Sequence, residues 1–115
     1  PRFARNLVAN HLRHYEYHDL DQSSPTIGIE LISGCCMFAR TSALKTVGGF
    51  DPRYFLYFED FELSKKMSRI GKIAYLPDAR IIHYGGKTAN KGWQHIFHFC
   101  RSAIRFYRTY GLKIT

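Results

Sequence analysis

The chain has 115 residues, of which 45% are hydrophobic and 16% aromatic, so residues 1–115 can bury one core and form a single domain. Seventeen Lys and Arg against nine Asp and Glu give a formal net charge of +8, which favours anionic partners such as nucleotides or acidic lipid headgroups. Three cysteines without framework spacing exclude a disulfide scaffold, and no apolar run approaches the roughly 20 residues of a membrane-spanning helix. We therefore expect a folded cytoplasmic domain with reduced thiols.

The start of the chain is predicted to be a helix followed by a linker. Apolar residues at helical spacing predict the helix over residues 3–14. Residues 15–26 then turn polar and acidic and contain a Ser-Ser-Pro breaker, which is typical of an exposed linker. Because the chain opens on Pro1 within helix-like sequence, we expect it to be part of a longer protein.

The next stretch is predicted to contain strand and one short helix. Residues 26–39 are mostly apolar with Gly34 interrupting them, which is typical of one bent strand or two short ones. Thr41 is suited to cap a helix over residues 42–47, and the pair Gly48-Gly49 would end it.

A second helix is predicted over residues 59–70, directly after the aromatic run 54–58. Its apolar residues at i, i+4 and i+7 should face the core; they are Leu63, Met67 and Ile70. Glu62 and Lys66 are four residues apart and are expected to pair in solvent.

The last third of the chain is predicted to form two short strands, over residues 73–76 and 80–84, and a long basic amphipathic helix over residues 93–110. The apolar side of this helix is wide and consists of two adjacent lines: Trp93, Phe97, Cys100, Ile104 and Tyr107 on one, and Ile96, Phe99, Ala103, Phe106 and Tyr110 beside it. The opposite stripe is basic and consists of His98, Arg101, Arg105 and Arg108. The order of elements predicts an α/β fold with a small mixed sheet and flanking helices.

A pair of acids at the start of the second helix is the strongest chemical signal in the sequence. The aromatic run leads directly into Glu59 and Asp60, so a carboxylate would lie in an aromatic-walled pocket, where it could take a proton from an incoming hydroxyl. Position alone leaves a second interpretation open, because acids also stabilise the first turn of any helix.

Four motifs in one order and at compact spacing resemble the C-terminal half of family 2 glycosyltransferases of the GT-A fold, particularly their rhamnosyltransferase-like members. The matching residues are Ser33-Gly34, Gly48-Gly49-Phe50-Asp51, Phe55 and Tyr57 to Asp60 with Leu63, and Pro77-Asp78-Ala79 followed by His83. Arg40 with Leu44 matches the family's helix between the first two motifs. The sequence departs from the family pattern at Cys35, Pro52 and Glu62.

The resemblance implies roles for five residues. Asp60 would be the catalytic base that deprotonates the acceptor hydroxyl, which then attacks the anomeric carbon with inversion. Glu59, Gly34 and Tyr57 would bind the acceptor. His83 would lie near the donor diphosphate or ligate a divalent metal.

The resemblance also implies partners and a cofactor. The donor would be a nucleotide-sugar and the acceptor a glycan or lipid-linked saccharide, in polysaccharide biosynthesis of the cell envelope. The metal, Mg²⁺ or Mn²⁺, would be held by acids of an upstream nucleotide-binding half, so the chain alone is expected to be inactive. Asp19-Leu20-Asp21 has the letters of such a motif, but it lies in a polar linker and is interpreted as chance.

Two alternatives to the enzyme remain open from the residues. The basic stripe of the last helix would also suit a membrane-surface or nucleic-acid binding module without catalysis, although no nucleic-acid motif is present. Peripheral contact with the inner face of the membrane is compatible with a lipid-linked acceptor. A metal site could draw on the helically spaced His11, His14 and His18. Without its partner half the chain would expose apolar surface, which favours a homo-oligomer.

Overall fold

A computed structural model of the protein describes residues 20–21, 23–84 and 92–111. Its elements are β1 (Thr26–Ile27), α1 (Thr41–Val47), α2 (Glu59–Met67), β2 (Ala74–Tyr75) and α3 (Trp93–Tyr110). Helices and a small sheet occur together, which agrees with the predicted α/β class. The predicted helix 3–14, half of the linker 15–26, the three helically spaced histidines and Asp19 lie outside the described residues.

The sheet is smaller than the sequence predicts. β1 and β2 pair antiparallel, with Thr26 opposite Tyr75 and Ile27 opposite Ala74. The ladder ends where the N–H groups of Gly28 and Ile29 both donate to the carbonyl of Ile73, at 2.8 and 3.2 Å. Within the described ranges the sheet has two strands and is not mixed.

The strands predicted through residue 39 and over residues 80–84 are wrong. Residues 80–84 are exposed and do not pair into the described sheet, and residues 28–40 form loop. A β-branched or aromatic run forms a strand only when a neighbouring strand supplies the ladder hydrogen bonds, and none is available to these runs in the described part of the chain.

The first two helices follow the prediction with changes at their ends. α1 ends at Gly48, whose φ of 76° is accessible to glycine at little cost, but Arg40 and not Thr41 occupies its N-cap. α2 stops at Met67, and residues 68–70 continue in tighter turns. Leu63 is 2% exposed as predicted, whereas Ile70 is 49% exposed.

The prediction that Glu62 lies in solvent is wrong, because Glu62 is buried. Lys66 Nζ lies 3.0 Å from Glu62 Oε2, and the Tyr110 hydroxyl donates to Glu62 Oε1 at 3.4 Å. The ion pair of Glu62 and Lys66 therefore lies next to the last turn of α3, where Tyr110 is located. Lys66 Nζ donates a hydrogen bond to the carbonyl of Gly49 at 2.6 Å. This buried carboxylate joins the first turns of α2 to the last turn of α3.

The hydrophobic core is an aromatic cluster between the 54–58 run and the second half of α3. Its buried members are Tyr54, Phe58 and Phe106, and partly buried Leu31, Tyr57, Phe61, Ala103, Tyr107 and Tyr110 pack around them. The Phe58 and Phe106 rings lie 5.4 Å apart. Aromatic pairs at this spacing add about 0.5–1.5 kcal/mol beyond the burial of their area.

α3 has the predicted bounds, and of its two predicted apolar lines mainly the second packs on the core, through Ala103, Phe106 and Tyr110. Ser102 and Phe106 are the buried residues, while Trp93 is 86% exposed and Phe97 and Ile104 are also exposed. The side facing the core is selected by partners: Ser102 Oγ donates to the Leu56 carbonyl at 2.9 Å. None of the helices within the described ranges combines the length and apolar character that a membrane crossing needs.

Candidate active site

The predicted acids follow a sharply bent backbone. Tyr57 and Phe58 have φ values of 67° and 65°, a left-handed conformation that costs non-glycine residues of order 1–3 kcal/mol each. The Phe58 ring, 9% exposed, holds the bend because it packs against Phe61, Phe99 and Phe106. Such strain persists only where the surroundings over-determine it, and it is concentrated at functional sites.

Asp60 is held in one orientation at the start of α2. Its Oδ2 accepts a hydrogen bond from the backbone N–H of Gly34 at 2.8 Å, and its Oδ1 accepts one from the N–H of Phe61 at 2.8 Å. The residue is half-buried. Each carboxylate oxygen keeps a further lone pair, so the group can still accept a proton from a third partner.

Gly34 approaches Asp60 so closely that a side chain at position 34 would crowd it. A Cβ at position 34 would lie 3.3 Å from Asp60 Cβ and 3.6 Å from Asp60 Oδ2. The structure thus brings two of the predicted site residues into direct contact, although they are 26 positions apart in the chain.

Ser64 is a residue of this site that sequence reasoning missed. It is fully buried, its Oγ donates to the Asp60 carbonyl at 2.7 Å, and the same Oγ accepts from the Ile32 N–H at 3.2 Å. The hydroxyl therefore ties the 32–34 loop to the helix that carries the acid. A serine four residues after the acid, on the same helix face, was the available signal.

Glu59 differs from its neighbour in having an unsatisfied oxygen. Its Oε2 is buried and has no hydrogen-bond partner in the described part of the protein, while the residue as a whole is half-buried. A buried polar atom without a partner costs about 1–3 kcal/mol, so a native instance points to an ordered water, a ligand or a functional constraint.

Tyr57 lies against α3. Its ring is edge-on to Phe99 with centroids 5.6 Å apart, and its hydroxyl lies 3.4 Å from His95 Nδ1. These contacts fix the ring, and its contact with an acceptor stays a prediction.

His83 is in the exposed stretch 79–84. The Asp60 carboxylate accepts its hydrogen bonds from Gly34 and Phe61, so the described contacts do not join His83 to the acid. One imidazole cannot hold Mg²⁺ or Mn²⁺, which need several oxygen ligands, and the described residues contain no group of three metal-ligating side chains. The metal that the resemblance implies therefore stays a prediction, with His83 as at most one of its ligands.

Two further side chains near the site have structural partners. Arg53 Nη2 lies 2.6 Å from Asp51 Oδ2, and its hydrogen bonds hold the pKa of the Asp51 carboxyl below its usual value. Burial raises the pKa of the Tyr110 hydroxyl, and the charge of Glu62 raises it further, so Tyr110 stays a neutral donor to Glu62. Asp51, the last residue of the Gly-Gly-Phe-Asp motif, accepts hydrogen bonds from the N–H groups of Arg53 and Tyr54. The motif therefore forms the turn that leads into the aromatic run.

Replacing Gly34 with Ala should destabilise the loop beside Asp60. The added Cβ must displace Asp60 or the loop, and overpacking of this kind costs about 1–3 kcal/mol. Urea unfolding of the variant measures the loss. Gly71→Ala is the matched control, because a Cβ there meets nothing within 4 Å. Equal stability of the two variants would show that the close approach at Gly34 is not rigid.

Comparison with known proteins identifies relatives of one kind. Two strains of Mycobacterium tuberculosis have an "N-acetylglucosaminyl-diphospho-decaprenol L-rhamnosyltransferase" that is 38% identical over 78 residues, covering 67% of this chain and 25% of the relative. "Rhamnosyltransferase WbbL" of Escherichia coli K12 is 37% identical over 57 residues, covering 49% of this chain and 22% of the relative. No protein-family model matches, and no solved structure matches significantly.

The matches have a limited span. The chain covers about a quarter of the length of the curated relatives that it matches. The matched relatives, 37% and 38% identical to this chain, are all named rhamnosyltransferases, which agrees with the motifs described above. The resemblance drawn from the motifs is therefore confirmed, and in sequence this chain belongs with the rhamnosyltransferase-like glycosyltransferases.

Proposed function

We propose that this chain is the acceptor-side part of a family 2 glycosyltransferase of the GT-A fold, with Asp60 as its catalytic base. The single observation that carries the proposal is the Asp60 carboxylate, fixed by the Gly34 N–H at 2.8 Å at the strained start of α2. The similarity to rhamnosyltransferases supports the reaction class.

In the proposed reaction an acceptor hydroxyl attacks the anomeric carbon of the donor sugar. The hydroxyl proton passes to the Asp60 carboxylate, the new bond forms from oxygen to the anomeric carbon, and the bond to the nucleoside diphosphate breaks. Attack on the face opposite the leaving group inverts the anomeric centre. Positioned general-base catalysis of this kind contributes roughly 10² to 10⁴ in rate.

Glu59 and Gly34 are proposed to contribute to acceptor binding. The buried Glu59 Oε2, which has no described hydrogen-bond partner, would accept a hydrogen bond from a sugar hydroxyl. Gly34 leaves the approach to Asp60 free of a side chain. Tyr57, whose ring is fixed against α3, would offer an aromatic edge to the sugar.

The relatives' names suggest the substrates. By their names, the mycobacterial relatives transfer L-rhamnose to N-acetylglucosaminyl-diphospho-decaprenol. We propose a nucleotide-activated rhamnose as donor and a polyprenyl-diphospho-saccharide as acceptor for the complete protein. Because that acceptor is anchored in lipid, the enzyme would act in the cytoplasm at the inner face of the membrane.

His83 is proposed to contact the donor diphosphate, while the metal belongs with acids outside the described residues. In the complete protein His83→Ala should weaken donor binding about tenfold, the loss of one charge-assisted hydrogen bond of about 1.5 kcal/mol. Isothermal titration with the nucleotide-sugar measures it. His83→Gln tests whether a neutral donor suffices, and unchanged affinity in both variants would return His83 to a structural role.

A transfer assay tests the function as a whole. The complete protein, incubated with nucleotide-activated rhamnose and a polyprenyl-diphospho-N-acetylglucosamine, should form a glycosylated lipid detectable by mass spectrometry. The anomeric configuration of the product, read by NMR, should be inverted relative to the donor. Absence of transfer with every nucleotide-sugar and saccharide acceptor, together with intact folding, would favour a binding module without catalysis.

A further inference from the structure

α3 carries two adjacent lines of apolar residues, and mainly one of them meets the core. Four residues at helical spacing belong to the other line and form what we call the outer line; they are Trp93, Phe97, Cys100 and Ile104. Trp93 is 86% exposed, Phe97 61% and Ile104 60%. At 1.5 Å per residue the line is about 16 Å long. A surface of this kind marks an interaction site.

Basic residues border the outer line. Exposed Arg101 and Arg108 and half-buried Arg105 follow its edge, and the 18 residues of α3 contain no Asp or Glu. Four arginines and two apolar residues contribute to a shallow groove of about 540 Å³; they are Arg53, Arg101, Arg105, Arg108, Phe97 and Ile104. Of these arginines, Arg53 is paired with Asp51 at 2.6 Å.

We propose that the outer line and its arginine edge form a docking face for an anionic lipid surface. A helix of this type lies in the membrane plane, with Trp and Phe at the headgroup boundary and Arg against lipid phosphates. An anionic membrane can contact the apolar outer line and the arginine edge at the same time. Nucleic acid would engage the arginines and leave the apolar line in water, and a second copy would bring two arginine edges together in a chain of net charge +8. This inference goes beyond glycosyl transfer and does not depend on it.

The single tryptophan of the chain supplies a direct probe. Trp93 emission should shift to shorter wavelength on titration of the chain with vesicles of phosphatidylglycerol, because the indole leaves water for the headgroup boundary. Neutral phosphatidylcholine vesicles should give little shift, and raised salt should weaken binding to the anionic ones.

Two pairs of substitutions separate charge from apolar contact. Arg101→Gln with Arg108→Gln should weaken vesicle binding roughly thirtyfold, the effect expected of two basic residues near an anionic surface. Phe97→Ser with Ile104→Ser should weaken it about tenfold or more. All four residues are exposed, so folding, checked by circular dichroism, should be retained.

Matched controls remove the same groups elsewhere. Arg40→Gln with Lys45→Gln removes two exposed positive charges from the α1 region, and Phe38→Ser removes a 92% exposed aromatic. Both should bind vesicles like the unmodified chain. Equal weakening by the Arg40 and Lys45 changes would overturn the proposal in favour of bulk charge attraction.

Two further results would also overturn the proposal. An emission shift that grows with protein concentration without vesicles, with dimers in sedimentation, would assign the face to a second copy. An equal shift with a single-stranded oligonucleotide would assign it to nucleic acid.

Discussion

Under the proposed function, Asp60→Asn should lower the transfer turnover of the complete protein by about 100-fold or more while its affinity for the nucleotide-sugar is retained. The amide has the shape of the carboxylate, and its oxygen can still accept the Gly34 N–H hydrogen bond of 2.8 Å. The amide cannot take a proton from the acceptor hydroxyl at neutral pH. The change therefore removes the proposed base and spares the local geometry.

Steady-state kinetics of the transfer reaction, with donor affinity measured separately, check this expectation. Glu30→Gln is the matched control, because Glu30 is an exposed acid whose contact with Lys65 Nζ at 3.1 Å is a surface pair of little energetic weight. Its turnover should equal that of the unmodified enzyme. Turnover of Asp60→Asn within a few fold of the unmodified enzyme would remove the assigned role from Asp60.

Phe106→Ala should lower the free energy of unfolding by about 3–5 kcal/mol, the largest effect on stability that we expect. Phe106 is 5% exposed, and its ring contacts those of Phe58, Phe61 and Tyr110. Removing it leaves a cavity at the centre of the aromatic cluster. Since Phe58 holds the strained bend before the acids, the variant should also loosen the site.

Urea unfolding followed by circular dichroism measures this loss. Phe38→Ala is the control: it deletes the same side chain at a position that is 92% exposed, and it should change stability by less than about 0.5 kcal/mol. A loss below about 1 kcal/mol for Phe106→Ala would mean that α3 does not anchor the aromatic run.

The acid pair and the helices could be predicted from the sequence because their signals are local. α3 runs from Trp93 to Tyr110 as predicted, since an uninterrupted helical pattern is bounded by Gly92 and Gly111. Glu59 and Asp60 stand in the first turn of α2, where acids are favoured beside free backbone N–H groups. These features depend on neighbours within about four residues.

The contacts that build the candidate site could not be predicted, because they join distant segments. Ser64 binds the Ile32 N–H across 32 positions, and Glu62 meets Tyr110 across 48. Periodicity places Glu62 on the polar side of α2 and so predicts that it lies in solvent. Periodicity describes only the spacing of residues along a helix, and it does not show which neighbouring element covers each side. The same limit explains why residues 80–84 were predicted to be a strand.

The amino-acid sequence by itself determined the family, the positions of the described helices and the acid pair Glu59 and Asp60 that begins α2. Only the tertiary structure decided which side of α3 is buried, and so left Trp93, Phe97 and Ile104 exposed beside arginines. The physical reason is that the sequence of a helix with two adjacent apolar lines does not determine which line is buried. The choice falls to specific partners, here the Leu56 carbonyl that accepts from Ser102 and the Phe58 ring that packs on Phe106.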